Sequence, residues 1–435
     1  MYRNISDTLK QWKETPNHKP LVIIGARQVG KTYSVRELAR EYAELVEINF
    51  QDDVKARSYF GEQRSSDDIV SYLELNYLDI TFSKETLVFF DEVQLVPELL
   101  TSLKFLPSKL KCDIVCSGSM LGVKLHKSSS WPVGYTEVLT MYPMTFFEFA
   151  KAVGIEEKYF DVLDECIEDV RAVPVALHDR MRSLFSEYMV CGGLPEAVNA
   201  YVSKGLAAAV RVNRNLANDY RVDIAHYADS RTKIKAQECF DSLPNQLAKD
   251  NKKFRYNLVR QGYNARFYEE SLNWLENAGL VYRVNRVGKI EMPLKAYKEL
   301  SIFKIYMFDT GLLASQFSDA DLHSFLDNAM GTYKGMLYEN IAAQTLAVLG
   351  MPAYYYEPNT SSEIDFIIEG EDGITPLELK GGLHTRSRSF DNFIKNHGTK
   401  RAYKFSQKNI GENDNGVVRN YPVYVMEKVL RNPIP

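Results

Sequence analysis

Across the first 150 residues, short and mostly apolar runs alternate with longer stretches in which apolar residues return every three or four positions. The runs are Leu21–Ile24, Leu45–Phe50, Leu87–Phe90 and Cys112–Cys116. The first and third runs are apolar throughout and predict buried strands, and the alternation of all four with helical stretches favours a parallel sheet. After the first run, Val35, Leu38, Ala39 and Tyr42 recur at helical offsets. Strand and helix in alternation predict an α/β unit whose ligands lie at the C-terminal ends of its strands.

From about residue 150 to 250 the period becomes helical. Met181, Leu184, Tyr188 and Cys191 stand roughly one turn apart, and Gly192-Gly193-Leu194-Pro195-Glu196 ends one helix and admits another. Near 255–290 a helical run from about Arg266, carrying Leu272 and Leu275, stops at Ala278-Gly279. The β-type run Leu280–Val287 follows, with Gly288 as its turn. Helix, glycine stop and strand pair make a winged-helix-like pattern, a module that contacts either DNA or neighbouring domains. Further on, Leu337–Leu349 reads as a helix with Tyr338, Ile341, Ala342 and Thr345 on one face. Glu363–Ile368 alternates at period two, turns at Gly370-Glu371-Asp372-Gly373 and returns as Ile374–Lys380. Leu377 and Leu379 take the core face of that return strand, so Glu378 and Lys380 project from the other. The pattern divides the 435 residues into 1–150, 151–250, 251–330 and 331–435, a division that the length supports.

Composition adds less. With 45% hydrophobic and 25% charged residues the chain is globular and not disordered. A net charge of −4 carries no global nucleic-acid signal. Within 251–290, however, Lys252, Lys253, Arg255, Arg260, Arg266, Arg283, Arg286 and Lys289 face only Glu269, Glu270 and Glu276. This basic island makes DNA a candidate partner. No apolar run approaches the roughly 18–20 residues of a membrane span, and the N-terminus shows no apolar signal-peptide core. Cysteines 112, 116, 166, 191 and 239 form no C-x-x-C pair, which predicts reduced thiols in a cytoplasmic protein. The stretch 122–135, with Lys127-Ser128-Ser129-Ser130-Trp131-Pro132, reads as a surface loop.

The first apolar run leads into Gly25-Ala26-Arg27-Gln28-Val29-Gly30-Lys31-Thr32, which fits G-x-x-x-x-G-K-[ST] and precedes a helix. Such a loop forms a nest of backbone N–H groups for nucleotide phosphates. Lys31 is expected to reach the β and γ phosphates and Thr32 to bind Mg²⁺, with Tyr33 next to them in the nucleotide-binding set. The third run ends in Asp91-Glu92. Asp91 completes the Mg²⁺ site, and Glu92 orients and deprotonates water. The chain is therefore expected to bind ATP or GTP with Mg²⁺. The fourth run leads into Ser117-Gly118-Ser119, where Ser117 or Ser119 contacts the γ phosphate or merely forms a turn. In the C-terminal stretch, Asp365, Glu378 and Lys380 fall around one point of the hairpin, with Glu339 available from the helix. Carboxylates with a lysine suit Mg²⁺- or Mn²⁺-assisted phosphodiester hydrolysis. They also suit a solvated face whose charges pair across strands.

Together, Gly25–Thr32, Phe90-Asp91-Glu92, Ser117-Gly118-Ser119, Pro143–Phe149, Gly192-Gly193-Leu194-Pro195, Tyr306–Leu312 and Glu339 with Glu363–Lys380 resemble a known family. It comprises bacterial and archaeal AAA+ ATPases with a C-terminal domain of unknown function built on a restriction-endonuclease-like, PD-(D/E)xK, core. The resemblance spans essentially the whole chain. It implies an α/β AAA+ core with a helical lid, then the winged-helix-like unit, then an α/β nuclease-like domain. It also implies that Gly193 and Pro195 contact adenine, although a plain helix break accounts for them equally well. Similar proteins carry Gly-Arg where this chain has Gly134-Tyr135. If that arginine serves a neighbouring nucleotide in a homo-oligomer, its loss removes a group worth ~10³–10⁵ in rate, unless Arg180 or Arg182 replaces it. Three functions stay open. They are a slow ATPase coupled to a DNA- or partner-directed C-terminal module, an ATP-gated nuclease, and a non-enzymatic nucleotide-controlled switch.

Overall fold

The computed structural model describes residues 1–119, 134–228, 232–249, 251–326, 332–359, 362–370, 372–382, 386–413 and 416–432. Most of the loop expected at 122–135, and Glu371 in the hairpin turn, lie outside them. The chain forms two compact units, Met1–Tyr142 with Asn277–Gly279, and Pro143–Glu276 with Leu280–Pro435.

The first unit is built on five parallel strands: β1 (Leu21–Gly25), β2 (Glu44–Asn49), β3 (Thr86–Asp91), β4 (Asp113–Ser119) and β5 (Glu137–Thr140). Their order across the sheet is β2-β3-β4-β1-β5. Alternate residues of β1 to β4, Val22, Ile24, Val46, Ile48, Val88, Phe90, Ile114 and Cys116, bury one sheet face. Against it lie Phe60, Leu73, Leu99 and Leu106 from helices on that side. Every residue of β1 and β3 is buried, as double coverage requires. Strand β5 was not expected. It is short and no residue in it is fully buried, so it lacks the apolar run that marks the others. The five cysteines are all free and buried.

The second unit opens with helices, among them Phe146–Ala152, Val175–Cys191, Pro195–Lys204, Leu206–Tyr227 and Lys233–Leu247. The helix Ala265–Asn277 follows, then the antiparallel pair β6 (Val281–Val287) and β7 (Lys298–Met307). The helix Thr332–Val348 leads to β8 (Tyr354–Asn359), β9 (Ser362–Gly370), β10 (Gly373–Leu379), β11 (Ala402–Ser406), β12 (Gly411–Glu412) and β13 (Val418–Pro422). All eight strands form one sheet, ordered β12-β13-β11-β10-β9-β8-β6-β7. β6 joins β8 in parallel, Asn285 opposite Tyr354 and Arg286 opposite Tyr355. Val287 and Leu294 share a core with Tyr354, Ile364, Ile367 and Phe390. The boundary drawn at 330/331 from the sequence therefore runs through a continuous sheet and core. Among the described residues no helix is long and apolar enough to cross a membrane.

Candidate functional site

Strand order positions the first site. β4 lies between β1 and β3, so the C-terminal ends of these three strands come together where the order reverses, the place α/β sheets use for ligands. Gly25 and Ser119 are register partners there, and Asn49 is the partner of Asp91 one strand further.

The loop after β1 is sterically specified. A Cβ on Gly25 would overlap the carbonyl oxygen of Met141, so only glycine fits. Gln28 (φ 63°) and Gly30 (φ 98°) are left-handed, and Gly30 opens directly into the helix Lys31–Ala39. Ala26 and Val29 are buried while Arg27 is half-buried. The Lys31 ammonium donates to the carbonyls of Ala26 at 2.9 Å and Gly25 at 3.2 Å. Burial lowers its pKa to about 8, against the opposing pull of Glu92 and Asp91. Tyr33 is largely exposed, and its hydroxyl accepts from the N-terminal amine at 3.1 Å. Buried Arg3 braces the loop, donating to Val29 O and Tyr142 O, both at 2.7 Å.

Asp91 is the junction of the site. One of its oxygens accepts from the Thr32 hydroxyl at 2.9 Å and from the Asn49 amide at 3.0 Å. The other accepts from the Ser117 hydroxyl and from the Glu92 N–H at 3.1 Å. Glu92 is left-handed, φ 61°, a sparsely populated conformation that clusters at functional sites. Its carboxylate accepts from the Gln94 amide, whose own carbonyl oxygen accepts from Ser119 N–H at 3.1 Å. The structure thus brings Lys31, Thr32, Asp91, Glu92 and Ser117 to one place, with Ser117 bonded to Asp91. Sequence reasoning missed Asn49, Gln94 and Arg3. Asn49 was within reach, since a polar side chain ends the apolar run of β2. Arg3 and Gln94 carry no local signal.

Pro195 belongs to the second unit, as the first residue of the helix Pro195–Lys204. Before it, Gly192 is left-handed, φ +73°, and a side chain there would overlap the Asp309 carboxylate. Asp309 accepts from Gly193 N–H at 2.8 Å and Leu312 N–H at 2.9 Å. Burial raises its pKa to about 6. Arg182 pairs with Asp179 at 3.0 Å.

The C-terminal carboxylates converge differently from expectation. Among the described residues, Glu339, Glu363 and Asp365 present carboxylate oxygens within 4.8 Å of one another. Glu378 is buried and held by Lys380 at 2.6 Å, and Asp365 accepts from Leu379 N–H at 2.8 Å. Three groups not foreseen complete the cluster. Lys304, fully buried in β7, donates to Glu339 at 3.1 Å and to Glu363. Lys252 and Tyr306 also donate to Glu339, at 2.7 and 2.8 Å. Burial by itself would raise the Glu339 carboxyl, but Lys304 and Lys252 bring it down to about 2. Asp365 is pushed well above the usual range by burial and by Glu378 and Glu339. The signal for Lys304 was a lysine inside the apolar run Ile302–Met307.

Six of the eight basic residues of the island are paired with carboxylates, Lys252 among them through Glu339. Lys253 meets Glu357 at 2.5 Å, Arg260 meets Glu238 at 3.6 Å, Arg286 meets Glu299 at 2.7 Å and Lys289 meets Glu291 at 2.7 Å. Arg283 reaches both Glu269 at 2.7 Å and Glu276 at 3.0 Å, and its guanidinium lies over the Phe303 ring. A cation so engaged offers little to a phosphate. Arg283→Gln is thus expected to lower the melting temperature while leaving the salt dependence of any DNA binding unchanged. A flatter slope of affinity against salt would instead make Arg283 a phosphate contact.

Residues 17–150 match a family model described as an AAA domain. The first unit carries an AAA-type P-loop ATPase domain. Residues 182–322 and 334–424 match two domains of unknown function, DUF8612 and DUF4143. No curated protein matches the chain. Among solved structures it is similar to a Walker-type ATPase of Pyrococcus abyssi, at 15% identity over 72% of this chain and 94% of that one, TM-score 0.43. Another is Cdc6p from Pyrobaculum aerophilum, at 16% identity over 74% and 92% of the two chains, TM-score 0.25. A third is the Aeropyrum pernix Orc1 protein in complex with DNA, at 12% identity over 75% and 91%, TM-score 0.25. The AAA domain covers every residue of the Asp91 junction.

Proposed function

We propose that this chain is a slow Mg-ATP hydrolase whose nucleotide state governs the second unit. The substrate is MgATP. Lys31 contacts the β and γ phosphates, Gly25–Thr32 and Tyr33 line them, and Thr32 and Asp91 hold the magnesium that accompanies the nucleotide. Glu92 orients and deprotonates the attacking water. Ser117 acts through Asp91, which it holds in place. Gly193 and Pro195 enter as adenine contacts through the family resemblance alone. The observation that carries the reading is the Thr32–Asp91 hydrogen bond of 2.9 Å. It unites the phosphate loop with the acid of a neighbouring strand, the two protein groups that a P-loop metal site needs. Slow turnover follows from Tyr135 standing where similar proteins carry an arginine.

Thr32→Val tests the metal half of this reading without altering the loop's shape. ATP affinity measured with excess Mg²⁺ should fall at least about tenfold, the loss of one charge-assisted contact. Affinity in a chelator should hardly change. An equal loss under both conditions would remove Thr32 from the metal site.

A further inference from the structure

The nuclease-like reading of the C-terminal stretch implies a divalent cation among Glu339, Asp365, Glu378 and Lys380. Hard cations of this kind need several free oxygens around them. Here at least one oxygen of each carboxylate is already engaged. Glu339 accepts from Lys304, Lys252 and Tyr306, Glu363 from Lys304, Glu378 from Lys380, and Asp365 from the Leu379 backbone. Lys304 is the decisive group, since its ammonium touches two of the three converging carboxylates and is wholly buried. One oxygen of Glu378 has no donor, but Glu378 is not one of the three carboxylates that converge. The charges also balance closely. Glu339, Glu363, Asp365 and Glu378 face the ammoniums of Lys304, Lys252 and Lys380, so one proton neutralises the cluster whereas a divalent ion overshoots. A divalent cation does not fit this cluster.

We propose that Lys304 is the resident cation of the site and takes the place of a divalent metal. The cluster is then a clamp. It ties β7 and the segment at Lys252, which precede residue 330, to the helix bearing Glu339 and to β9. A buried ion pair of this kind is costly to break on one side and tolerant of removal on both. The proposal is independent of the nucleotide site, because its test is made without nucleotide.

The experiment is Mn²⁺ titration of the full chain by calorimetry, followed by thermal melts with and without Mn²⁺. The wild type should show no Mn²⁺ binding that Glu339→Gln or Asp365→Asn removes, and no Mn²⁺-dependent rise in melting temperature. Lys304→Met should gain Mn²⁺ binding that Glu363→Gln abolishes. Wild-type binding lost in Asp365→Asn would overturn the proposal, and so would a folded Lys304→Met protein that gains none. Should Lys304→Met not fold, the pair Lys304→Met with Glu339→Gln decides. A cooperative melt regained by the pair supports the clamp, and a pair that still shows none overturns it.

Discussion

Glu92→Gln is expected to leave ATP binding within about twofold of wild type and to lower turnover by about 10²–10⁴, the usual contribution of a positioned general base. The substitution keeps the side chain's shape and its hydrogen-bonding partner Gln94, so the left-handed backbone at Glu92 is retained. What is lost is the ability to take a proton. Lys31→Ala is expected to behave in the opposite way and abolish binding, because it removes the ammonium that is to reach the β and γ phosphates. Its low pKa of about 8 sharpens the contrast. Phosphate should draw a proton back onto Lys31, so ATP binding above pH 8 takes up protons, and calorimetric enthalpies then depend on the buffer. Equal ATP affinity for wild type and Lys31→Ala would sink the nucleotide-site assignment. Equal turnover for wild type and Glu92→Gln would sink only the role of Glu92.

Gly193→Ala is expected to destabilise the second unit by about 3–5 kcal/mol, combining overpacking with a lost buried hydrogen bond. A Cβ at this position would overlap the Met144 carbonyl oxygen and lie 2.7 Å from the Met144 amide nitrogen. The Met144 N–H donates to Gly193 O at 2.7 Å, so the two backbones cannot separate without breaking that bond. Such a loss is a large share of a domain's usual 5–15 kcal/mol, and a shifted denaturant midpoint without nucleotide would record it. If Gly193 instead serves chiefly to admit adenine, the variant will melt like wild type and lose ATP affinity alone. The packing observed here favours the first outcome, and it explains the paired glycines without reference to a ligand.

Legibility differed sharply between the two units. Strands β1 and β3 of the first unit stood out because a doubly covered strand must be apolar throughout, and the phosphate loop followed from its spacing after β1. Asp91 and Glu92 were readable for the same reason, as polar residues ending an apolar run. Arg3 and Gln94 were not, since Arg3 donates to the distant carbonyls of Val29 and Tyr142 and Gln94 accepts from the distant Ser119 N–H. In the second unit, period-two alternation correctly paired β9 with β10. It could not reveal that Glu378 would be buried, nor that Lys252 and Lys304 would reach Glu339 from more than thirty residues upstream. Charge counted along the chain was the least reliable guide. The excess of lysine and arginine at 251–290 ignored carboxylates such as Glu339, Glu357 and Glu299 that fold back onto it.

The parallel seam between β6 and β8 bears on how this protein can be cut and recombined. A gene fragment beginning at residue 331 would express β8 with a raw edge, its outer backbone groups stripped of their partners at Asn285 and Arg286. A fragment ending at residue 330 would leave the same kind of scar on β6 and strand Lys304 without its carboxylates. Exposed strand edges of this sort recruit other chains and aggregate. The stretches matched by the two domains of unknown function are thus expected to fold as one piece, and exchanging either for a relative's counterpart should require moving both.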